Sequence, residues 1–470
     1  MTRCAEEDDD MYFFKMSTKD TPRSLEWLIL VLLGAMVATG VSSCAFRRLK
    51  SDIRRAEKQV SLNVTVDMDD DIEGQLVGVI YTPYNKGQRV AAFKKFDPKI
   101  KRMLFVIEQG DYRAALFHDR NKNLVIDSDE AVELLNDGRR LPFSEVTKRI
   151  DLDVHVPEGH ALPEGYPRNL AELPDSLEGD YHFAVGDVAD LNDPRFSKAT
   201  GRMGLWEPVR FLKENGVGIY MVKPFTKDRI PVLFVNGAGG SPQNWRFFFD
   251  RLDKTKYQAW FYLYPSGVRI ARLGQTLNSL MRALAEKYEV AQIHMVAHSM
   301  GGLVAREALV CELREDAPLL VHKFVTISTP WNGHAMAQKG VDAFFTPIPS
   351  WHDVVPGSPF LQTVFDTRLS PKIDHHLLFG YLTGSEEDGS VALSSVLLQE
   401  AQDDAVEVRG FEGDHVAVLF SENVIDYVHD ILSNPNHLQR RATCPSESRA
   451  AEIISTDDAE AAPPGDTDTP

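Results

Sequence analysis

Cysteine is scarce in this 470-residue chain: the four copies, Cys4, Cys44, Cys311 and Cys444, stand far apart. That spacing excludes a disulfide framework and the paired-cysteine zinc sites. A basic excess is missing as well. The 51 Lys and Arg face 69 Asp and Glu, a net charge of −18. Phosphate binding needs clustered cations, so no nucleic-acid partner is expected. Long apolar runs are absent but for one, which excludes a multi-span membrane protein. What remains is a folded composition, 43% hydrophobic and 26% charged, with room for two or three domains of about 150 residues.

The single apolar run, Trp27 to Phe46, carries no charge and follows Lys15, Lys19 and Arg23. A basic stretch, an apolar stretch and then small residues make a secretory signal. The ending Val41-Ser42-Ser43-Cys44 resembles a bacterial lipobox. That resemblance implies removal of residues 1–43, lipidation of Cys44 and a membrane-anchored lipoprotein of the bacterial cell envelope. The other reading is an uncleaved single transmembrane helix, because about 20 apolar residues span a bilayer. The bases from Arg47 to Arg55 would then hold the folded part in the cytoplasm. Residues 44–58 form a basic tether.

Beyond the tether the pattern changes twice. In 59–156, short runs such as Gln75–Tyr81, Arg102–Ile107 and Ala114–Phe117 are separated by turn residues, which predicts strands of a small all-β, sandwich-like domain. Residues 157–203 are rich in Pro, Gly, Asp and Asn and read as a linker. From 204 to 432, apolar runs alternate with helical patterns. Strands are expected at Ile219–Val222, Pro231–Val235, Ala259–Leu263, Ile293–Ala297, Phe324–Ile327, His376–Leu382 and Val406–Arg409. Leu273, Leu277, Leu280, Met281 and Leu284 share one helical face. This alternation predicts an α/β domain with a mainly parallel sheet covered on both faces. Residues 433–470 form an acidic tail expected to be disordered. The charge divides unevenly: residues 445–470 hold seven acids and one base, so part of the acidity lies outside the fold.

The chemistry sits in Ile293-His-Met-Val-Ala-His-Ser299-Met-Gly-Gly. An apolar strand runs into a small-residue turn, and a helix-forming stretch follows at once. This resembles the nucleophile elbow of the α/β-hydrolase family, with Ala297 in place of the first glycine. The tight turn demands small neighbours and lifts the serine hydroxyl beside a helix N-terminus, where negative charge is favoured. Upstream, Pro231-Val-Leu-Phe-Val-Asn-Gly-Ala-Gly-Gly occupies the place of the family's oxyanion loop, with Asn236 where a histidine is usual. The resemblance implies oxyanion donors at the backbone N–H of Ala238 and Met300.

The family's chain order is serine, acid, histidine. An acidic turn at Glu386-Glu387-Asp388-Gly-Ser-Val resembles the Asp-Gly-x-Val turn of many bacterial lipases, which makes Asp388 the candidate acid. A plain turn-forming role for Asp388 stays open, as do Asp374, Glu386 and Glu387. His415 follows a strand and precedes an apolar helix, the position of the base. The stretches Thr326–Gly333 and His352–Leu361 resemble lipase-like and GPI inositol-deacylase-like hydrolases. Between strand and acid, an insertion at about 331–372 carries Phe344, Phe345, Ile348, Trp351, Val354 and Phe360. It fits a cap lining an acyl pocket, and equally ordinary helix packing.

These resemblances cover about half the chain. They imply a serine esterase or lipase working through an acyl-serine intermediate on a lipid-like ester, with no cofactor and no metal. An amidase or acyltransferase shares the same triad. A third reading makes the β-domain an envelope binding module on an inactive scaffold. In that domain Asp119, Asn121, Asn123, Asp127 and Glu130 take EF-hand-like spacing, but Leu124 replaces the glycine of the sharp turn. Asx turn geometry accounts for those residues without a metal.

Overall fold

A computed structural model describes residues 58–433, apart from 68–72, 97–101, 145–146, 148, 156–158, 160–161, 175–182, 315–317, 345–346 and 370. The signal segment, Cys44, nearly all of the tether, Phe345 and the acidic tail lie outside the described residues. No helix among the described residues is long and apolar enough to cross a membrane.

The first lobe contains β1 (Gln59–Asp67), β2 (Gln75–Tyr84), β3 (Gly87–Phe96), β4 (Arg102–Glu108), β5 (Gly110–Asp119), β6 (Val132–Leu134), β7 (Leu141–Phe143) and β8 (Arg149–His155). One sheet has the order β4-β1-β8 and the other β3-β2-β5-β6, with β7 paired to β5. Alternation decides the packing. Val60, Leu62, Val64 and Val66 are buried in one core with Ile80, Phe105 and Leu116. Ser61, Asn63 and Thr65 are only half-buried and face the other way. The lobe is therefore two stacked sheets, as expected, though β1 runs parallel to β8.

The second lobe is built on β9 (Phe183–Val188), β10 (Val217–Met221), β11 (Ile230–Val235), β12 (Tyr257–Leu263), β13 (Ile293–His298), β14 (Val321–Ile327), β15 (Asp374–Tyr381) and β16 (Glu407–Glu412). They form one sheet in the order β16-β15-β14-β13-β11-β12-β10-β9. Only β10 and its parallel neighbour β9 run against the rest. Leu233, Val235, Met295 and Ala297 pack toward helices Ile270–Tyr288 and Met300–Arg314. Val232, Phe234 and Val296 pack toward helices Arg246–Arg251 and Glu422–Ser433. Burial on both faces explains the unbroken apolar runs of these strands.

The linker reading of 157–203 is corrected at two places. Leu162 and Leu170 are buried against the outer face of the five-stranded sheet with Val77, Tyr81 and Phe117. Residues 183–188 form the sheet's edge strand. Pro, Gly and Asp mark turns in a sequence without saying whether those turns are packed. The edge strand itself is short and interrupted by Gly186 at φ +80°, so it carries little alternation. The other seven strands lie within a few residues of their expected positions.

Candidate active site

The parallel strands all end at one edge of the sheet, and their C-terminal loops supply the site, the usual place for ligands in open α/β sheets. Ser299 follows β13 and has φ +54°. A non-glycine residue there costs about 1–2 kcal/mol, and the surroundings hold it in place. Its N–H donates to the Ile327 carbonyl at 2.9 Å. Gly301 packs so closely that a Cβ would lie 2.5 Å from the Asn236 carbonyl oxygen, and a Cβ on Gly237 would lie 2.8 Å from Ser299 Cβ. Small residues are therefore required on both sides of the serine.

His415 Nε2 lies 2.9 Å from Ser299 Oγ, and its Nδ1 lies 2.7 Å from Asp388 Oδ2. The carboxylate accepts, so Nδ1 carries the ring proton and Nε2 is left to accept from the serine. The three residues expected from chain order thus stand in one hydrogen-bonded line. Asp388 is fully buried. Burial raises its carboxyl, but the hydrogen bond and charge of His415 and the N–H groups of Val391 and Ser390 outweigh that, and the net shift is downward. It therefore stays ionised beside the imidazole. Glu387 is exposed, and Asp374 opens β15 at the opposite end from the site.

The two implied oxyanion donors flank the serine. Met300 is the first residue of helix Met300–Arg314, so its N–H has no intrahelical acceptor. Ala238 follows Gly237, which touches Ser299. Two side chains brace this loop: Ser266 Oγ accepts from Gly239 N–H at 2.9 Å, and Tyr264 OH donates to the Asn236 carbonyl. Asn236 is buried and donates to the Gly237 carbonyl at 3.2 Å. Its side chain thus braces the loop that carries Ala238.

Three contributors escape sequence reasoning. The first is His298, whose Nε2 lies 2.8 Å from the backbone carbonyl of His415. Burial, with His415 beside it, lowers its pKa to about 3, so it is a neutral donor. The N–H of His415 is meanwhile bound to the Asp388 carbonyl at 2.8 Å. His334 opens the cap and reaches Ser390 Oγ at 3.2 Å. Burial lowers its pKa, and the nearby charge of His415 adds to that. Ser266 is the third, as the loop brace. Each depends on distant segments meeting, and no local pattern marks it.

The cap insertion divides. Val354 and Leu361 join the main core and Ile348 is buried, which is the packing reading. Phe344 is 41% exposed, and with Trp351 and Trp206 it forms an aromatic triangle whose ring centroids lie 5.5–6.3 Å apart. In the first lobe, Asp119 is buried and accepts from the N–H of Asn123 and Leu124. Leu124 takes φ +60°, the conformation for which glycine is usual. Among the described residues no cluster of three or more His, Cys, Asp or Glu side chains is placed to hold a metal.

Comparison with known proteins agrees with this architecture. Residues 268–434 match a family model described as an α/β hydrolase of unknown function (DUF915). The fold is that of the α/β hydrolases. A search of curated proteins found no match. Among solved structures, a gene product of Listeria innocua is 19% identical over 44% of this chain and 95% of its own, with a TM-score of 0.36. A mature lipase of Bacillus licheniformis is 21% identical over 46% of this chain and 97% of its own, also at 0.36. Lipase B of Aspergillus fumigatus is 18% identical over 46% of this chain and 56% of its own, again at 0.36.

Proposed function

We propose that this chain is a serine esterase that cleaves carboxylic esters with lipid-like acyl groups, held at a membrane by its N-terminal segment. The observation that carries the reading is the hydrogen-bonded line from Asp388 through His415 to Ser299. In this reading His415 takes the Ser299 proton as Oγ attacks the ester carbonyl. The N–H groups of Ala238 and Met300, together with the helix N-terminus, stabilise the oxyanion. His415 then delivers the proton to the leaving alcohol. Water repeats the sequence and frees the acid.

The lipid-like part rests on apolar surface near the site. Val416, the residue after His415, is 50% exposed; Met336, whose N–H binds His334, and Trp206, which follows the Leu205 packed beside Gly239, are each 47% exposed. Exposed apolar groups gathered near a catalytic serine suit an acyl chain. The membrane part rests on the apolar run and Cys44 alone.

A fluorophosphonate probe and a series of p-nitrophenyl esters test the reading. The wild-type protein is expected to label and to hydrolyse esters, and Ser299→Ala to do neither. Full hydrolysis by Ser299→Ala would overturn it, and faster turnover of anilides than of esters would make the enzyme an amidase.

A further inference from the structure

A cavity of about 540 Å³ lies where the β-lobe meets the hydrolase lobe, and none of Ser299, Asp388 or His415 lines it. Ligand pockets typically measure about 300–1,000 Å³ and favour such domain junctions. β1 and β4 make one wall. Their outward positions pair Ser61 with Val106 and Asn63 with Leu104, so a polar row lies beside an apolar row. The hydrolase lobe continues each row. On the polar side, helix Ile270–Tyr288 presents Gln275, Thr276 and Ser279, and Ser279 Oγ reaches Asn63 Oδ1 at 3.4 Å. On the apolar side stand Phe183, Leu212 and Val217. Lys94 marks that junction, with Nζ 3.4 Å from the Leu104 carbonyl and 4.2 Å from the Phe183 ring centroid.

The charges around the lining are spent. Arg269 lies 3.1 Å from Asp353 Oδ1, and Asp353 Oδ2 accepts from the Ile270 N–H at 2.7 Å. Arg272 is engaged as well. Lys94, behind the apolar row, is lowered by burial to about 7. An ionised head would therefore lose its hydration without gaining a counter-charge. The neutral groups differ. The side chains of Ser61, Gln109, Gln275 and Thr276 line the cavity and make no hydrogen bond to another described residue. Hydroxyls and amides both donate and accept, and the hydroxyl groups of a ligand answer both. Beside them, the apolar row gives an alkyl chain a surface on which to leave water.

We propose that this inter-lobe cavity is a second ligand site, separate from the catalytic serine, that takes an uncharged single-chain amphiphile with a hydroxyl-bearing head, the class of a monoalkyl glycerol or an alkyl glycoside. The head lies between β1 and helix Ile270–Tyr288, and the chain runs past Leu104 and Val106 toward Phe183 and Val217. The inference stands on the cavity and not on the hydrolase reading.

The test is photolabelling of the full chain with a 1-O-alkylglycerol that carries a diazirine in its chain, an ether that an esterase does not cleave. Saturable labelling is expected on peptides holding Leu104, Val106 or Val217. The competitors 1-O-hexadecylglycerol and hexadecyl glucoside are expected to protect, and the stronger of the two names the head as glycerol or sugar. Palmitate is expected to protect at least tenfold less well. Protein first blocked at the active site with a fluorophosphonate is expected to label unchanged. Val106→Trp and Thr276→Trp fill the cavity from opposite walls, and each is expected to cut labelling at least tenfold while melting as the wild type does. Should one variant fail to fold, the other carries the test. Wild-type labelling in a folded cavity variant, or labelling that never saturates, overturns the site. Protection by neither hydroxyl-bearing competitor, or equal protection by palmitate, overturns the uncharged head. Loss of labelling after fluorophosphonate treatment overturns the separateness.

Discussion

The Nε2–H of His298 donates to the backbone carbonyl of His415 across 2.8 Å, so the residue before Ser299 holds the loop that carries His415, the proposed base. With the His415 N–H bound to Asp388, His415 is pinned on both sides of its main chain. A base misplaced by about 1 Å costs on the order of 10²-fold in rate. His298→Phe is therefore expected to lower kcat by about 10- to 100-fold with KM little changed. His298→Gln, whose amide can donate to the same carbonyl, is expected to recover most of it. Steady-state kinetics on a soluble ester, beside thermal melting, checks both.

Asp388→Asn is expected to do more harm. Oδ1 of Asp388 accepts from Val391 N–H at 2.8 Å and Ser390 N–H at 3.1 Å, so an asparagine would keep its oxygen there and turn its NH2 toward His415. The imidazole would then carry its proton on Nε2 and could not accept from Ser299. A wrong tautomer costs about 10⁴-fold in kcat. The fold is expected to survive, which circular dichroism would show beside the lost turnover.

Gly301→Ala tests the crowding at the elbow. The added methyl would meet the carbonyl oxygens of Asn236 and Val235 at 2.5 and 2.6 Å, and these are main-chain atoms with little freedom to move. Overpacking of this kind costs about 1–3 kcal/mol. A lower melting temperature is expected, with slower fluorophosphonate labelling because the oxyanion loop is displaced.

Acid is expected to destabilise the fold. Burial lowers the pKa of both His294 and His298 to about 3. Between the ordinary 6.5 and 3, the unfolded chain binds those protons and the folded one does not, so stability falls as pH falls through that window. Glu307 has the opposite sign, raised by burial to about 7. Its charged form weakens the fold above pH 7, and that penalty fades toward 4.5. Melting temperature should drop from pH 7 to pH 4.5, while Glu307→Gln should raise it at pH 8.5 and leave it nearly unchanged at pH 5.

Trp206→Ser tests the lipid-like part of the proposal. Burying an aromatic side chain against an acyl chain is worth about 1.5–3 kcal/mol. The ratio of long-chain to butyrate ester turnover is expected to fall by about tenfold, with butyrate turnover itself unchanged.

Much of this was legible in the sequence because its causes are local. An apolar run followed by Ala-His-Ser-Met-Gly needs no distant partner to form a strand, a tight turn and a helix. Asp388 and His415 were reached through chain order and turn chemistry. Short apolar runs such as Gln75–Tyr81 and Ala114–Phe117, broken by turn residues, marked the β-lobe. Less visible was the edge strand Phe183–Val188, which depends on its neighbour β10 for pairing and shows no pattern of its own. The cap was legible as apolar but not as divided between core and surface, since the same residue types serve both.

By itself, then, the sequence determined which residue types were available and where the chain could turn: small residues around Ser299, an acid before Gly389, and a histidine between a strand and a helix. Only the tertiary structure decided which groups meet. It brought His415 to Ser299 across 116 positions, set His298 against the base's carbonyl, and left a cavity where two lobes with polar and apolar faces join imperfectly. Propensity and patterning act over a few residues. Hydrogen bonds between distant loops and the space between lobes depend on how whole sheets and helices pack.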